Sequence, residues 1–467
     1  MLKSLSLCLH TIVAISSQVA NLCQNLCLSR HTRQGKNLDK DSQNPQPTKH
    51  NPQRILIMSL GRAGGCSQYA FKLLEHLHCP YTLYQTKYAI PEEWQECAIH
   101  ITTYYHNRLS FVLNTLCILP WHILKIVWQS RHYDVLFLPY FHFWNLAFIL
   151  AFRLCGKRVV IVEHDGIVHI GEPYPFQQIL TNLCMKYADE IVFLTHFVKN
   201  RVSQSLIAHK KTYIVPHGLY DFEGLARVPK VYSKTPNILF FGRINPYKGI
   251  DLLINALKDI PPHLYHSFII AGKSSMDYDI SSLDPAKVEI FDSFLPQDAI
   301  AQIFNRSHIL VMPYIEASQS GVASIAIANC MPTIYTDVGG LKEQFSLEAD
   351  NRQCALMCEP SAESIADALR TLLGNKALYE GLSHNLALRA AELEWDTIAK
   401  KIQDILMVGG GALLVIRILL FGESHTISKS LQIHKIHKTH KIQNLAHFKS
   451  KAFSCICTDS QRWQYVA

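Results

Sequence analysis

The sequence predicts an α/β protein made of two doubly wound, Rossmann-like domains that face a central crevice. Three observations predict it. From Arg54 to Val215, short apolar runs alternate with amphipathic stretches, as strands and helices do around a parallel sheet. The alternation stops over the polar residues 219–235 and resumes at residue 237. In the second series, Ile238-Leu239-Phe240-Phe241 and Ile309-Leu310-Val311-Met312 each lead to a turn that opens a helix. Ligands of open α/β sheets sit at such strand ends.

In the first domain, strands are expected at 54–59, 134–138, 159–163, 190–194 and 212–215, and helices at 66–77, 143–154 and 175–187. In the second, strands are expected near 237–241, 266–271, 288–291, 308–312 and 333–335. Its helices are expected near 249–257, 297–304, 320–329, 340–345 and 362–374, and residues 375–406 read as mostly helical. Residues 29–53 are rich in Arg, Lys, Gln, Asn and Pro and read as a disordered linker. After Leu406, a glycine triplet and a short apolar run holding Arg417 precede a polar, His-rich stretch without periodicity.

A chain of 467 residues accommodates two domains with extensions. Its net charge of +8 fits nucleic acid, an anionic membrane surface or anionic substrates. Zinc-finger spacing and a basic readout helix are both missing, which argues against nucleic acid. The fourteen cysteines are irregularly spaced and read as reduced, small apolar residues. The first twenty residues resemble a signal peptide weakly: His10, Ser and Gln dilute the apolar run.

Two turns carry the chemistry. Gly242-Arg243-Ile244-Asn245-Pro246-Tyr247-Lys248-Gly249 follows the first apolar run, and Glu316-Ala317-Ser318-Gln319-Ser320-Gly321-Val322 follows the second. A helix that starts at a strand end offers backbone N–H groups and a positive dipole end to an anion. Arg243 and Lys248 add cationic donors for phosphate oxygens. Gly242 flanks this pair, Gly64 and Gly65 allow close backbone approach to a ligand, and Ser318, Ser320, Gly321 and Val322 line the second turn. Glu316 is placed to accept hydrogen bonds from hydroxyls. Together these describe a diphosphate held between two strand ends, as in a nucleotide-sugar site. Competing readings are a solvated surface pair for Arg243 and Lys248, and an acidic helix cap for Glu316.

Residues 103–130 mix Tyr104, Tyr105, Phe111, Trp121 and Trp128 with Arg108 and Lys125. The stretch reads as too broken by polar groups to span a bilayer. It fits an interfacial amphipathic helix, and equally a helix packed on the sheet.

Several segments, in order, resemble the retaining family 4 glycosyltransferases of the GT-B fold. Arg54 to Met58 followed by Gly61-Arg62-Ala63-Gly64-Gly65 looks like the family's first strand and glycine loop. Val159 to Asp165 looks like its strand ending in His-Asp, and Ile214 to Gly218 like the close of its first domain. Gly242-Arg243 to Lys248-Gly249 is similar to its G-R-x4-K-G motif. Thr336 to Gly340 resembles its late glycine turn, and Leu393 to Asp396 the start of its final helix. The match covers roughly residues 54–406, and the Ser-Gln-Ser-Gly-Val turn marks a subset.

The resemblance implies an acceptor domain at 54–218, a nucleotide-sugar domain at 235–385, and a crossover helix at 386–406 returning to the first domain. Atypical extensions then occupy 1–53 and 407–467. It implies that Arg243, Lys248, Glu316 and His164 are catalytic, with His164 touching the transferred sugar. Gly64, Gly65, Gly242, Ser318, Ser320, Gly321 and Val322 would bind the donor. The implied activity is retaining, metal-independent transfer from a nucleotide-diphosphate sugar to a glycan or lipid-linked acceptor, without a cofactor. That chemistry suits cell-surface polysaccharide or lipopolysaccharide synthesis on the cytoplasmic side of the membrane. One departure stands out. The family's E-x7-E places a second Glu eight residues after the first, where this chain has Ser324; an alternative alignment puts Ile325 there. The ribose contact is therefore not assigned, and a non-catalytic GT-B-like subunit is the competing reading. A sugar phosphorylase or epimerase of the same architecture is a further alternative, but the phosphorylase's cofactor-lysine motif is not found.

Overall fold

The computed structural model describes residues 54–408, apart from 63, 90–94, 96, 97, 102–107 and 168–175. The expectations for residues 1–53, for 409–467 and for Tyr104 and Tyr105 lie outside the described residues.

Two all-parallel sheets organise the chain. The first contains β1 (Ile55–Ser59), β2 (Tyr81–Thr86), β3 (Ile99–Ile101), β4 (Val135–Leu138), β5 (Arg158–Glu163), β6 (Glu190–Phe193) and β7 (Lys211–Ile214), in the order β3-β2-β1-β4-β5-β6-β7. The second contains β8 (Asn237–Phe241), β9 (Ser267–Ala271), β10 (Val288–Phe291), β11 (Ile309–Met312), β12 (Thr333–Thr336) and β13 (Leu356–Cys358), in the order β10-β9-β8-β11-β12-β13. Each sheet reverses its winding beside its first strand, at β1/β4 and at β8/β11. Doubly wound sheets open a ligand crevice at that switch point. Both sheets are covered on their faces, so β1, β4, β9 and β11 are buried along their whole length.

Helices of the first domain are α1 (Gly65–Glu75), α2 (Arg108–Cys117), α3 (Leu119–Gln129), α4 (Asn145–Leu154), α5 (Gln177–Tyr187), α6 (His196–Arg201) and α7 (Gln204–Ile207). Those of the second are α8 (Ile250–Lys258), α9 (Gln297–Arg306), α10 (Gly321–Ala328), α11 (Leu341–Gln344), α12 (Ala362–Gly374) and α13 (Lys376–Glu392), followed by α14 (Trp395–Met407).

Strands β2, β3 and β13 escape the apolar-run criterion. In β2, Thr82, Gln85 and Thr86 interrupt the pattern, although Tyr and Thr pack well on a pleated surface. The other two have only three residues each. The crossover also starts later than residue 386. Helix α13 runs unbroken to Glu392, and the chain turns at Leu393 and the extended Glu394 before α14 begins. Helix α14 then buries Trp395, Ile398, Ile402 and Leu406. Its last turn is tied to the first sheet: Arg158 donates to the carbonyls of Ile405 (2.7 Å) and Leu406 (3.1 Å) while pairing with Glu190. One apolar cluster continues from Leu73 through Leu219 and Trp395 to Ile325 and Met331, so the core crosses between the domains.

The stretch Leu109–His132 corrects the reading of residues 103–130 as too broken to span. It consists of α2 and α3 joined at Ile118, with a closing helical turn at Ser130–His132. An 18-residue window within it has mean hydropathy 1.5, and the stretch is long and apolar enough to cross a membrane by length and composition. Its interruptions are mostly uncharged Ser, Asn, Thr and His. Even so, Leu119, Ile123 and Ile126 are buried in the first domain. Pro120 starts a new helix where its missing N–H costs nothing.

Candidate functional site

The ends of β8 and β11 bring the two glycine turns together. Gly242 has φ 113°, a region that side chains disfavour, and a Cβ there would lie 3.2 Å from Val322 and 3.6 Å from the ammonium of Lys248. Gly242, Lys248 and Val322 are therefore neighbours. Lys248 is buried, and its ammonium donates to the Tyr314 hydroxyl, 4.0 Å from that ring's centroid. The Tyr314 hydroxyl lies 3.2 Å from Ser320 Oγ, at the N-cap of α10. Gln344 holds Ser320 by both backbone groups: the Ser320 N–H donates to Oε1 at 2.7 Å, and Nε2 donates to the Ser320 carbonyl at 3.2 Å. Burial, reinforced by the Arg243 charge, lowers the Lys248 pKa to about 7. Arg243 itself is exposed.

The turn after β12 packs beneath the Glu316 loop. A Cβ on Gly339 (φ 63°) would lie 1.4 Å from the Ala317 carbonyl oxygen, and one on Gly340 would lie 2.3 Å from that of Ser318. Only glycine permits that approach. Ser318 is fully buried, while Glu316 is partly exposed and faces Arg201 of the first domain at 3.6 Å. Ser324 is buried with its hydroxyl lacking a hydrogen-bond partner.

In the first domain, β5 ends at Glu163, and His164 follows it. The His164 Nε2–H donates to the Pro139 carbonyl at 2.9 Å, and the ring stands edge-on to Tyr69 at 4.8 Å. Burial lowers its pKa, so the ring is held neutral. Glu163 is pushed up to about 7 by burial, with its carboxylate accepting from the Gly166 N–H at 3.0 Å. Tyr69 also meets His217 at 5.1 Å, and His217 meets Tyr220 at 4.7 Å. Gly64 (φ 106°) caps α1 and Gly65 opens it.

Three residues that sequence reasoning missed join these parts. Tyr314 connects Lys248 to Ser320. Gln344 fixes the N-cap of α10. Tyr220 joins the domains: its hydroxyl donates to the Gly65 carbonyl at 2.7 Å, and its ring edge fills the space a Gly321 Cβ would occupy, 2.8 Å away. An aromatic directly after Pro313 was the available signal for Tyr314. Gln344 and Tyr220 act through long-range contacts that no local pattern announces.

Comparison with known proteins agrees with this architecture. Residues 235–375 match the family model described as glycosyl transferases group 1. The chain is 31% identical over 170 residues to a D-inositol 3-phosphate glycosyltransferase of Mycobacteroides abscessus, covering 35% of this chain and 37% of that protein. It is 24% identical over 240 residues to the phosphatidylinositol N-acetylglucosaminyltransferase gpi3 subunit of Schizosaccharomyces pombe, covering 48% of this chain and 50% of that protein. The chain thus spans half or less of the length of these curated relatives. Among solved structures, sucrose-phosphate synthase from Thermosynechococcus elongatus superposes with TM-score 0.57 at 17% identity, covering 76% of this chain and 98% of that one. Anabaena HepE, solved in complex with UDP, superposes with TM-score 0.56 at 14% identity, covering 76% of this chain and 99% of that one. The chain has the GT-B fold, and its residues 235–375 form a glycosyl transferases group 1 domain.

Proposed function

We propose that the protein is a retaining glycosyltransferase that moves a sugar from a nucleotide-diphosphate donor to a glycan or glycolipid acceptor. The observation that carries this reading is the buried Lys248, placed beside Gly242 and the N-terminus of α10 with Arg243 next to it. A buried cation at a helix N-terminus, at the switch point of a parallel sheet, suits a diphosphate. In the reaction, the bond from the anomeric carbon to the β-phosphate oxygen breaks, and a bond to the acceptor oxygen forms on the same face. The acceptor's proton passes to the departing phosphate. Arg243, Lys248 and the first N–H groups of α10 stabilise the charge that grows there. These groups cover the diphosphate without a metal ion. Glu316 receives donor-sugar hydroxyls, and His164, fixed by Pro139, packs against the sugar from the first domain.

A second reading, a nucleotide-sugar-binding subunit without catalysis, is favoured by Ser324 standing where the family's second glutamate belongs. One assay separates the two. Purified full-length chain is incubated with UDP-, GDP- and ADP-sugars, and released nucleoside diphosphate and product anomer are followed by NMR. Transfer or donor hydrolysis with the donor's anomeric configuration kept supports the enzyme. Binding without release supports the subunit, and an inverted product contradicts retention.

The acceptor side of this reading includes contact with an anionic bilayer surface through α2 and α3. Leu109, Trp121 and Trp128 are 70%, 67% and 65% exposed, and residues 98–133 contain no Asp or Glu. Arg131 lies 4.6 Å from the Trp128 ring, an aromatic and basic rim of the interfacial kind. Flotation with vesicles containing phosphatidylglycerol tests it: Trp121→Ser with Trp128→Ser should abolish flotation, and unchanged flotation would refute the contact.

A further inference from the structure

Helix α6 of the first domain is gripped at both ends by acidic residues of the second. At its N-terminus, the backbone N–H groups of His196 and Phe197 donate to the two carboxylate oxygens of Glu343 at 2.6 and 2.7 Å. The next N–H, of Val198, is taken by the Thr195 hydroxyl at 3.1 Å. Helix starts leave such N–H groups without intrahelical partners, and a carboxylate there gains from the helix dipole as well. The approach is close: a Cβ on Gly340 would lie 3.2 Å from the Thr195 side chain. At the other end, Arg201 meets Glu316 at 3.6 Å, with its guanidinium 5.4 Å from the Phe197 ring centroid.

The grip is built into the site. Glu343 precedes Gln344, which holds the N-cap of α10. Arg389 donates to the carbonyls of Glu343 (3.3 Å) and Gln344 (3.0 Å), fixing the short helix that carries both. One rigid turn thus faces the phosphate end of the crevice with one side chain and the opposite domain with the next.

We propose that Arg201 is a positioning residue for Glu316, and that Glu343 is the clamp that sets Arg201 in place. The inference rests on Glu316 facing the donor sugar. The carboxylate that receives the sugar's hydroxyls is then oriented by the domain opposite, so donor-sugar recognition requires the domains to be docked. Nucleotide recognition, built within the second domain, does not.

The test uses the full chain and two readouts. The first needs no ligand: amide hydrogen exchange at residues 196 and 197 should speed about tenfold in Glu343→Ala, because these N–H groups lose their carboxylate. The second compares UDP-glucose with UDP by calorimetry. Arg201→Ala should weaken UDP-glucose about tenfold more than UDP, and Arg201→Lys should recover part of the loss. Glu343→Ala should show the same bias, and the double variant should be no worse than the stronger single one. Unchanged exchange in Glu343→Ala overturns the clamp. Equal weakening of UDP and UDP-glucose in Arg201→Ala overturns the positioning role. If exchange responds as stated but the wild type binds neither probe, the clamp is supported and the UDP-sugar reading of the site fails.

Discussion

The ammonium of Lys248 donates a hydrogen bond to the hydroxyl of Tyr314, and both side chains are buried. Such a lysine is costly until an anion arrives. Burial and Arg243 hold its pKa at about 7, against about 10.4 for a free lysine. Between those values the folded protein binds fewer protons than the unfolded chain, so stability rises with pH across the window. Below pH 7 the penalty for the charged form is present in full. Lys248→Met should therefore raise the Tm by about 2 °C or more at pH 6, with the gain shrinking towards pH 9. A diphosphate restores the charge, so wild-type binding should take up a proton near pH 8. Scanning calorimetry and titrations in buffers of different ionisation enthalpy measure both effects. An equal change in Tm at both pH values would refute the buried-charge account.

Arg243 is exposed and adjacent to Lys248, so its removal should leave the fold intact. Arg243→Ala should lower kcat/KM by about 30-fold or more, equivalent to about 2 kcal/mol of lost transition-state stabilisation. Transfer should also persist in EDTA, because side chains and helix N–H groups meet the diphosphate charge. Activity that returns only with added magnesium or manganese would contradict this.

Two glycines separate backbone strain from steric conflict. Gly249 has φ 67°, and a Cβ there would lie 1.9 Å from the Pro313 carbonyl oxygen. Gly224 has φ 82° with open space around it. Gly224→Ala should cost about 1–2 kcal/mol through conformation alone. Gly249→Ala should cost clearly more and displace the strand end that carries Tyr314 and Glu316. Urea denaturation of both variants decides, and equal losses would show that the Pro313 contact yields easily.

Trp395 ties the last helix to the first domain. Its indole N–H donates to the Leu219 carbonyl at 2.7 Å, and its ring lies 5.6 Å from Tyr69 and 5.9 Å from His217. Trp395→Ala should cost about 3–5 kcal/mol and broaden the thermal transition as the domains uncouple. An unaltered single transition would count against a shared core.

Much of this fold is legible in the sequence, because parallel strands buried on both faces are continuous apolar runs. Ile238 to Phe241 and Ile309 to Met312 show themselves in this way, and so does the periodic face that buries Trp395 and Ile398. Strand β2 does not, because Thr82, Gln85 and Thr86 conceal it. The glycine turns are legible because only glycine tolerates their geometry, as at Gly242 and Gly339. The contacts that join the turns are not. Gln344 meets Ser320 and Glu343 meets α6 only after the chain has folded, and neither belongs to a local pattern.

The central claim, a nucleotide-sugar diphosphate held by Lys248 and Arg243, is tested most directly by thermal shift with UDP-, GDP- and ADP-sugars. A ligand at a hundred times its Kd stabilises by about 2.7 kcal/mol. The account predicts that at least one of these donors raises the Tm of the wild type, and that Lys248→Met and Arg243→Ala each lose most of the shift. No shift with any donor, or the full shift in Lys248→Met, would contradict it.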